Sequence, residues 1–106
     1  MRITFTARHG KASDKLREFA EKEVRRLKKY YEDIIDCEIV LDYVKLQQIA
    51  DIKIKVYGTI LNAAVESEDI YKSINEAVSK LERQIKKYKS RWKKKIPVDK
   101  SIKIET

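Results

Sequence analysis

The sequence predicts an α+β domain of order β-α-β-β-β-α, a four-stranded sheet with two helices packed on one face. Three observations predict it. Apolar residues keep a period of two near the start of the chain and again over residues 34–67. They keep the helical period of 3.6 in two other stretches, one between those regions and one after them. Two apolar helical stripes are too few to cover both faces of a sheet, so both helices must lie on one side and leave the other to solvent. At 106 residues the chain can bury one core but not two. We expect a domain over residues 1–96 and a C-terminal arm, or the start of a linker, over residues 97–106, which hold too few apolar groups to fold alone.

The first strand is read from Ile3, Phe5 and Ala7 alternating with Thr4, Thr6 and Arg8. Gly10 breaks it, and Ser13 is placed to cap a helix with Asp14 in its first turn. Leu16, Phe19, Ala20, Val24, Leu27 and Tyr30 or Tyr31 then hold a helical stripe for about five turns. In the next strand Ile35, Cys37, Ile39, Leu41 and Tyr43 face inward. Ala50, Ile52, Ile54 and Val56 do so in the third strand, and Leu61, Ala63 and Val65 in the fourth. Gly58 stands between those two, where a hairpin needs a positive φ. The last helix is expected from about Glu68 to Lys95, with Ile70, Ile74, Ala77, Val78, Leu81, Ile85, Tyr88 and Trp92 on its apolar stripe. Pro97 ends it, because Ile96 before a proline is pushed out of helical geometry.

Charge is concentrated in that last helix. Between Lys80 and Lys95 stand nine basic residues and one acid, Glu82. The net +8 divides as +2 over residues 1–66 and +6 over residues 67–106. Lys80, Arg83, Lys87, Arg91 and Lys94 step by three and four along an outward stripe. Lys15, Lys22, Arg25, Arg26 and Lys29 form a second, weaker row on the first helix, diluted by Glu18 and Glu21. With both helices on one sheet face, the two rows would make one platform. A merely solvated face intersperses both signs; a row this lopsided is the footprint of a surface that meets phosphate.

Other chemistry finds little to work with. One histidine, His9, and one cysteine, Cys37, give no catalytic pair unless they meet in space, and alternation sends Cys37 into the core. No glycine-rich phosphate loop, paired-cysteine zinc spacing or HExxH motif occurs. We therefore expect no catalytic residue, metal, cofactor or small-molecule substrate. No run of 18 apolar residues exists, and the apolar helical stripes are needed to cover the sheet, which argues against a membrane partner. The lone cysteine and the absence of a signal-peptide core at Met1–Phe5 point to the cytoplasm. Among the aromatics, Phe5, Phe19 and Tyr88 lie on core stripes and only Tyr57 points to the open sheet face. A base-stacking sheet is thus disfavoured, and binding should run through helical Lys and Arg to phosphate and sugar, reading shape rather than sequence.

Particular segments carry a resemblance. Glu68-Asp69-Ile70-Tyr71-Lys72-Ser73-Ile74, followed by Lys80-Leu81-Glu82-Arg83-Gln84-Ile85-Lys86-Lys87-Tyr88-Lys89, resembles the second helix of the bacterial ribosome hibernation-promoting factors, also called ribosome-associated inhibitor or S30EA proteins. Thr6-Ala7-Arg8-His9, Leu16-Arg17-Glu18-Phe19, Arg26-Leu27 and Tyr30-Tyr31 extend the likeness over roughly residues 1–95. The resemblance implies a layout like a double-stranded-RNA-binding domain and a cytoplasmic factor that binds the small ribosomal subunit. Such a factor lodges against 16S rRNA in the channel for messenger RNA and tRNA and inhibits translation in idle ribosomes. Carried over by position, the RNA-facing residues are Lys22, Arg25, Arg26 and Lys29 on the first helix and Lys80, Arg83, Lys86, Lys87 and Lys89 on the second, with Arg91 and Lys94 continuing the row. Lys86 and Lys89 lie on the other flank from the stripe. Arg8, His9 and Lys45 are further candidate contacts. Long members of the family carry a second domain that pairs ribosomes, so dimerisation is expected only if such a domain is missing from this chain. The family's hairpin often has paired glycines where this chain has Gly58-Thr59. Two other readings stay open from the residues alone: a general duplex-RNA binder, and a module that grips an acidic protein.

Overall fold

The computed structural model describes residues 1–95, with side chains as far as Ser90. The expected arm at residues 97–106 and the side chains of Arg91, Trp92 and Lys94 lie outside the described residues. The elements are strand β1 (Arg2–Arg8), helix α1 (Asp14–Arg25) continued by a 3-10 turn (Arg26–Lys29), strands β2 (Asp36–Val44), β3 (Gln47–Val56) and β4 (Thr59–Ser67), and helix α2 (Ile70–Lys95). This is the expected order. The strands lie in sequence order across one sheet, β1 parallel to β2 and the two remaining pairs antiparallel. A parallel β1–β2 pair requires a crossover, and α1 supplies it.

Local chemistry sets the boundaries. Ser13 Oγ accepts from the Leu16 amide at 3.1 Å, closing the first turn of α1. Two side chains cap α2: Asp69 Oδ1 accepts from the Tyr71 amide at 3.0 Å, and Gln48 Oε1 on β3 accepts from the Ile70 amide at 2.9 Å. The latter bond fixes the helix start to the sheet. The β3–β4 turn has Gly58 at φ +84°, the region where a Cβ would be strained.

One apolar layer joins sheet and helices. Leu16, Ala20, Val24 and Leu27 pack with Ile39, Leu41, Ile52 and Ile54 and with Ile74, Leu81 and Ile85, all buried. Inside that layer the Ser73 hydroxyl is fully buried and donates to the Gln48 carbonyl at 2.7 Å, so the polar group does not go unpaired. Gln84 on α2 donates to the Asn62 carbonyl at 2.8 Å, drawing a long polar side chain over edge strand β4. Alternation is realised in β3, where Ala50, Ile52, Ile54 and Val56 are buried.

One inward assignment is corrected. Ile35 is 48 % exposed and Ile34 takes the core position at 3 %. The strand begins at Asp36, and Ile35 sits in the entry segment, its amide donating to the Lys55 carbonyl and its carbonyl accepting from the Arg2 amide. Strand periodicity therefore does not extend back to it.

Candidate nucleic-acid interface

The two helices lie side by side, and the contacts along their seam give their relative direction. Phe19 meets Tyr71 edge-to-face at 4.9 Å between ring centroids. Further along, Asn75 Nδ2 donates to Glu23 Oε1 at 3.3 Å and Arg26 lies 3.7 Å from Glu82. At the far end Lys86 stands 5.2 Å from the Tyr30 ring centroid, Lys89 Nζ donates to the Tyr30 carbonyl at 2.6 Å, and Tyr31 meets Tyr88 at 5.6 Å. Residue numbers rise together on both sides, so the helices are parallel. Their basic C-terminal halves consequently share one end of the molecule, where cations also complement the helix dipoles.

The predicted basic residues divide into two groups. Lys22, Arg25, Lys29, Lys80, Arg83 and Lys87 are exposed, away from the buried stripe. Within this group only Arg25 makes an ion pair among the described residues, with Glu21 at 3.6 Å. The second group, Arg26, Lys86 and Lys89, belongs to the seam. Arg26 pairs with Glu23 at 2.8 Å besides its contact to Glu82. The expected single platform is thus two basic crests divided by a seam containing Glu23 and Glu82. Helical spacing foreshadowed this, because Lys86 and Lys89 fall on the flank opposite Lys80 and Lys87. The identity of the element on that flank is a tertiary fact. Sequence reading passed over Lys72, which is exposed and eleven residues, three turns, before Arg83; that spacing puts both on the outward side.

Arg8, His9 and Lys45 lie at the other end. His9 adopts φ 56° and Lys45, in the β2–β3 turn, φ 58°. His9 Nδ1 sits 2.7 Å from Asp42 Oδ1, which also accepts from the Tyr43 amide at 2.8 Å. The His9 contact, more than any other cause, holds the Asp42 carboxyl below its ordinary range. Arg8, opposite Asp42 in the β1–β2 register, is on the open sheet face. These three are not brought together with the helical crests.

The open sheet face has a different electrostatic character. Across the four strands it carries Arg2, Arg8, Lys53 and Lys55 among Asp36, Glu38, Asp42, Asp51 and Glu66. Mixed signs of this kind form a self-compensated surface, with Arg2 and Asp36 paired at 3.3 Å. Cys37 is buried, and desolvation pushes its thiol up to about 12, far from nucleophilic reactivity near neutral pH. Among the described residues no three His, Cys, Asp or Glu side chains gather as metal ligands, and no helix is long and apolar enough to cross a membrane. The chemistry this arrangement offers is attraction of phosphate by exposed ammonium and guanidinium groups on one side of the molecule.

Comparison with known proteins finds relatives of similar length and solved structures of the same fold. A ribosome hibernation promoting factor of Salmonella typhimurium (strain LT2) is 30 % identical over 93 residues, 88 % of this chain and 98 % of that protein. The one from Escherichia coli (strain K12) is 29 % identical over the same shares. A ribosomal subunit interface protein from Coxiella burnetii has a TM-score of 0.81 at 36 % identity, covering 85 % of this chain and 99 % of its own. The N-terminal domain of Thermus thermophilus Protein Y has a TM-score of 0.77 at 28 % identity, covering 83 % and 99 %. The family model described as Sigma 54 modulation protein / S30EA ribosomal protein matches residues 3–93. With its fold and its near full-length relatives in accord, the chain belongs to the Sigma 54 modulation protein / S30EA ribosomal protein family.

Proposed function

We propose that this protein binds the small ribosomal subunit in the cytoplasm, laying its helical side on 16S rRNA in the messenger and tRNA channel, and so inhibits translation in idle ribosomes. The observation that carries the reading is the parallel pairing of α1 and α2 on one sheet face, with Lys22, Arg25, Lys29, Lys80, Arg83 and Lys87 exposed along the two helices. Rigid helical spacing suits a phosphate backbone of fixed geometry and reads shape. Arg91 and Lys94 are included as contacts on the strength of the sequence, while Arg26, Lys86 and Lys89 hold the seam and keep spare donors for phosphate. The names of the Salmonella and Coxiella relatives, a hibernation promoting factor and a subunit interface protein, support a ribosomal partner.

Sedimentation of the protein with vacant ribosomes and with separated subunits, at low and high salt, tests the proposal. Salt-sensitive co-migration with the small subunit and with 70S particles, but not with the large subunit, is expected. Absence of binding at low salt overturns it.

A further inference from the structure

The two edges of the sheet, β1 and β4, are finished differently. The β4 edge is covered where Gln84 reaches the Asn62 carbonyl. At the β1 edge the Arg2 amide donates to the Ile35 carbonyl at 3.3 Å, so the even-numbered residues of the strand aim their backbone groups at β2. The amides and carbonyls of Ile3, Phe5 and Ala7 therefore point away from the sheet, and among the described residues none of them has a partner.

Edge strands are ordinarily guarded by a lysine, a proline or a bulge. The β1 register runs unbroken from Arg2 to Arg8, so it contains no bulge, and Ile3-Thr4-Phe5-Thr6-Ala7 has no charge, proline or glycine. Such β-branched and aromatic residues favour further pairing. The apolar layer also thins here. Cys37, Ile39 and Leu41 are buried on β2, whereas Ile3, Phe5 and Ala7, in register beside them, are only half-buried. Backbone and apolar rim are thus both unfinished along the same strand.

We propose that the β1 edge pairs with the same edge of a second copy of this chain, antiparallel about a two-fold axis at Thr4, joining the two sheets into one. The side chains select this register. Centring on Thr4 sets Ile3 of each copy against Phe5 of the other as hydrogen-bonded pairs of an aromatic with a β-branched residue, and Thr4 against Thr4. Centring on Phe5 would oppose Arg2 and Arg8, two like charges. The helix flank is complementary as well. Arg17 stands 5.5 Å from the Phe5 ring centroid and pairs with Glu21 at 3.5 Å. Because α1 returns toward the start of β1, Glu21 lies about 6 Å closer to the row of Ile3. Each Arg17 then faces Glu21 of the second copy. The axis is perpendicular to the sheet, so the helices of both copies stay on one side and their basic crests stay uncovered. The pairing does not depend on the RNA-binding reading.

The test is analytical ultracentrifugation of the full chain over a wide concentration range, at a salt concentration that screens the repulsion between two chains of net +8. The mass should move from that of one chain to that of two as concentration rises. Thr4→Lys, at an exposed position, opposes like charges at the axis; it should stay at the mass of one chain and melt like dilute wild type. Oxidised Thr4→Cys should form a covalent dimer, while Thr6→Cys, which falls opposite Arg2 of the second copy, should remain a monomer. Cys37 is buried and does not compete. A mass of one chain at every concentration, a dimer that survives Thr4→Lys, or equal cross-linking at positions 4 and 6 overturns the pairing. A photo-crosslinker at position 4 that labels a ribosomal protein on vacant small subunits, with no dimer in solution, assigns the edge to a foreign strand and overturns the second copy.

Discussion

Lys89 donates its ammonium to the carbonyl of Tyr30 at 2.6 Å, so a lysine on the α2 helix caps the 3-10 turn that follows α1. A residue expected to meet RNA is thus also a clamp between the two helices that present the proposed RNA-binding side. The bond satisfies a carbonyl left over at a helix end and puts a cation at the negative pole of the dipole.

Lys89→Ala should therefore lower thermal stability by about 1 kcal/mol, the scale of a charge-assisted hydrogen bond discounted for partial exposure. Lys87→Ala, at an exposed position, should stay within about 0.5 kcal/mol of wild type. Paired thermal melts distinguish the two, and equal losses would contradict the clamp.

Arg83 and Lys87 share the exposed α2 crest. Reversing both, Arg83→Glu with Lys87→Glu, should leave the melting curve near wild type and weaken small-subunit binding strongly. The log-log salt dependence should also become shallower, since each lost phosphate contact removes about 0.7 to 0.9 from the slope. Unchanged affinity by sedimentation would remove the crest from the interface.

Asp42 contributes to acid stability with a definite sign. Its carboxyl is held below the ordinary value, chiefly by His9, so its stabilising contribution is present above the unfolded carboxylate pKa of about 3.9 and is lost as pH falls through the lower folded value. Asp42→Asn should melt below wild type at pH 7, and the difference should close near pH 2. A gap independent of pH would show that the carboxylate charge is not its source.

Cys37 should resist thiol reagents while the protein is folded, because its thiol is buried and pushed up to about 12. Labelling by a disulfide reagent at pH 8 should be slow in buffer and fast in denaturant. Rapid labelling of the native protein would place the side chain outside the core.

The fold was legible because period two and period 3.6 are local properties of a chain whose one core has one face per element. Leu16, Ala20 and Val24, and Ile74, Leu81 and Ile85, are buried as spacing requires. Ile35 was misplaced because alternation is blind to where a strand begins; its backbone bonds to Arg2 and Lys55 set that point. The basic residues were legible as a class, and spacing set Lys86 and Lys89 on a flank of their own, but that this flank forms a seam with α1 was not legible. The seam depends on which flank of α2 meets α1.

The sequence by itself determined the element order, the burial of the apolar stripes and the identity of the basic side, because spacing and charge are properties of the chain alone. Only the tertiary structure decided that the helices run parallel, that Glu23 and Glu82 draw Arg26 into the seam, and that Arg8, His9 and Lys45 stand at the opposite end. Each of these follows from which surfaces meet when the core closes, a relation between distant segments that no local periodicity encodes.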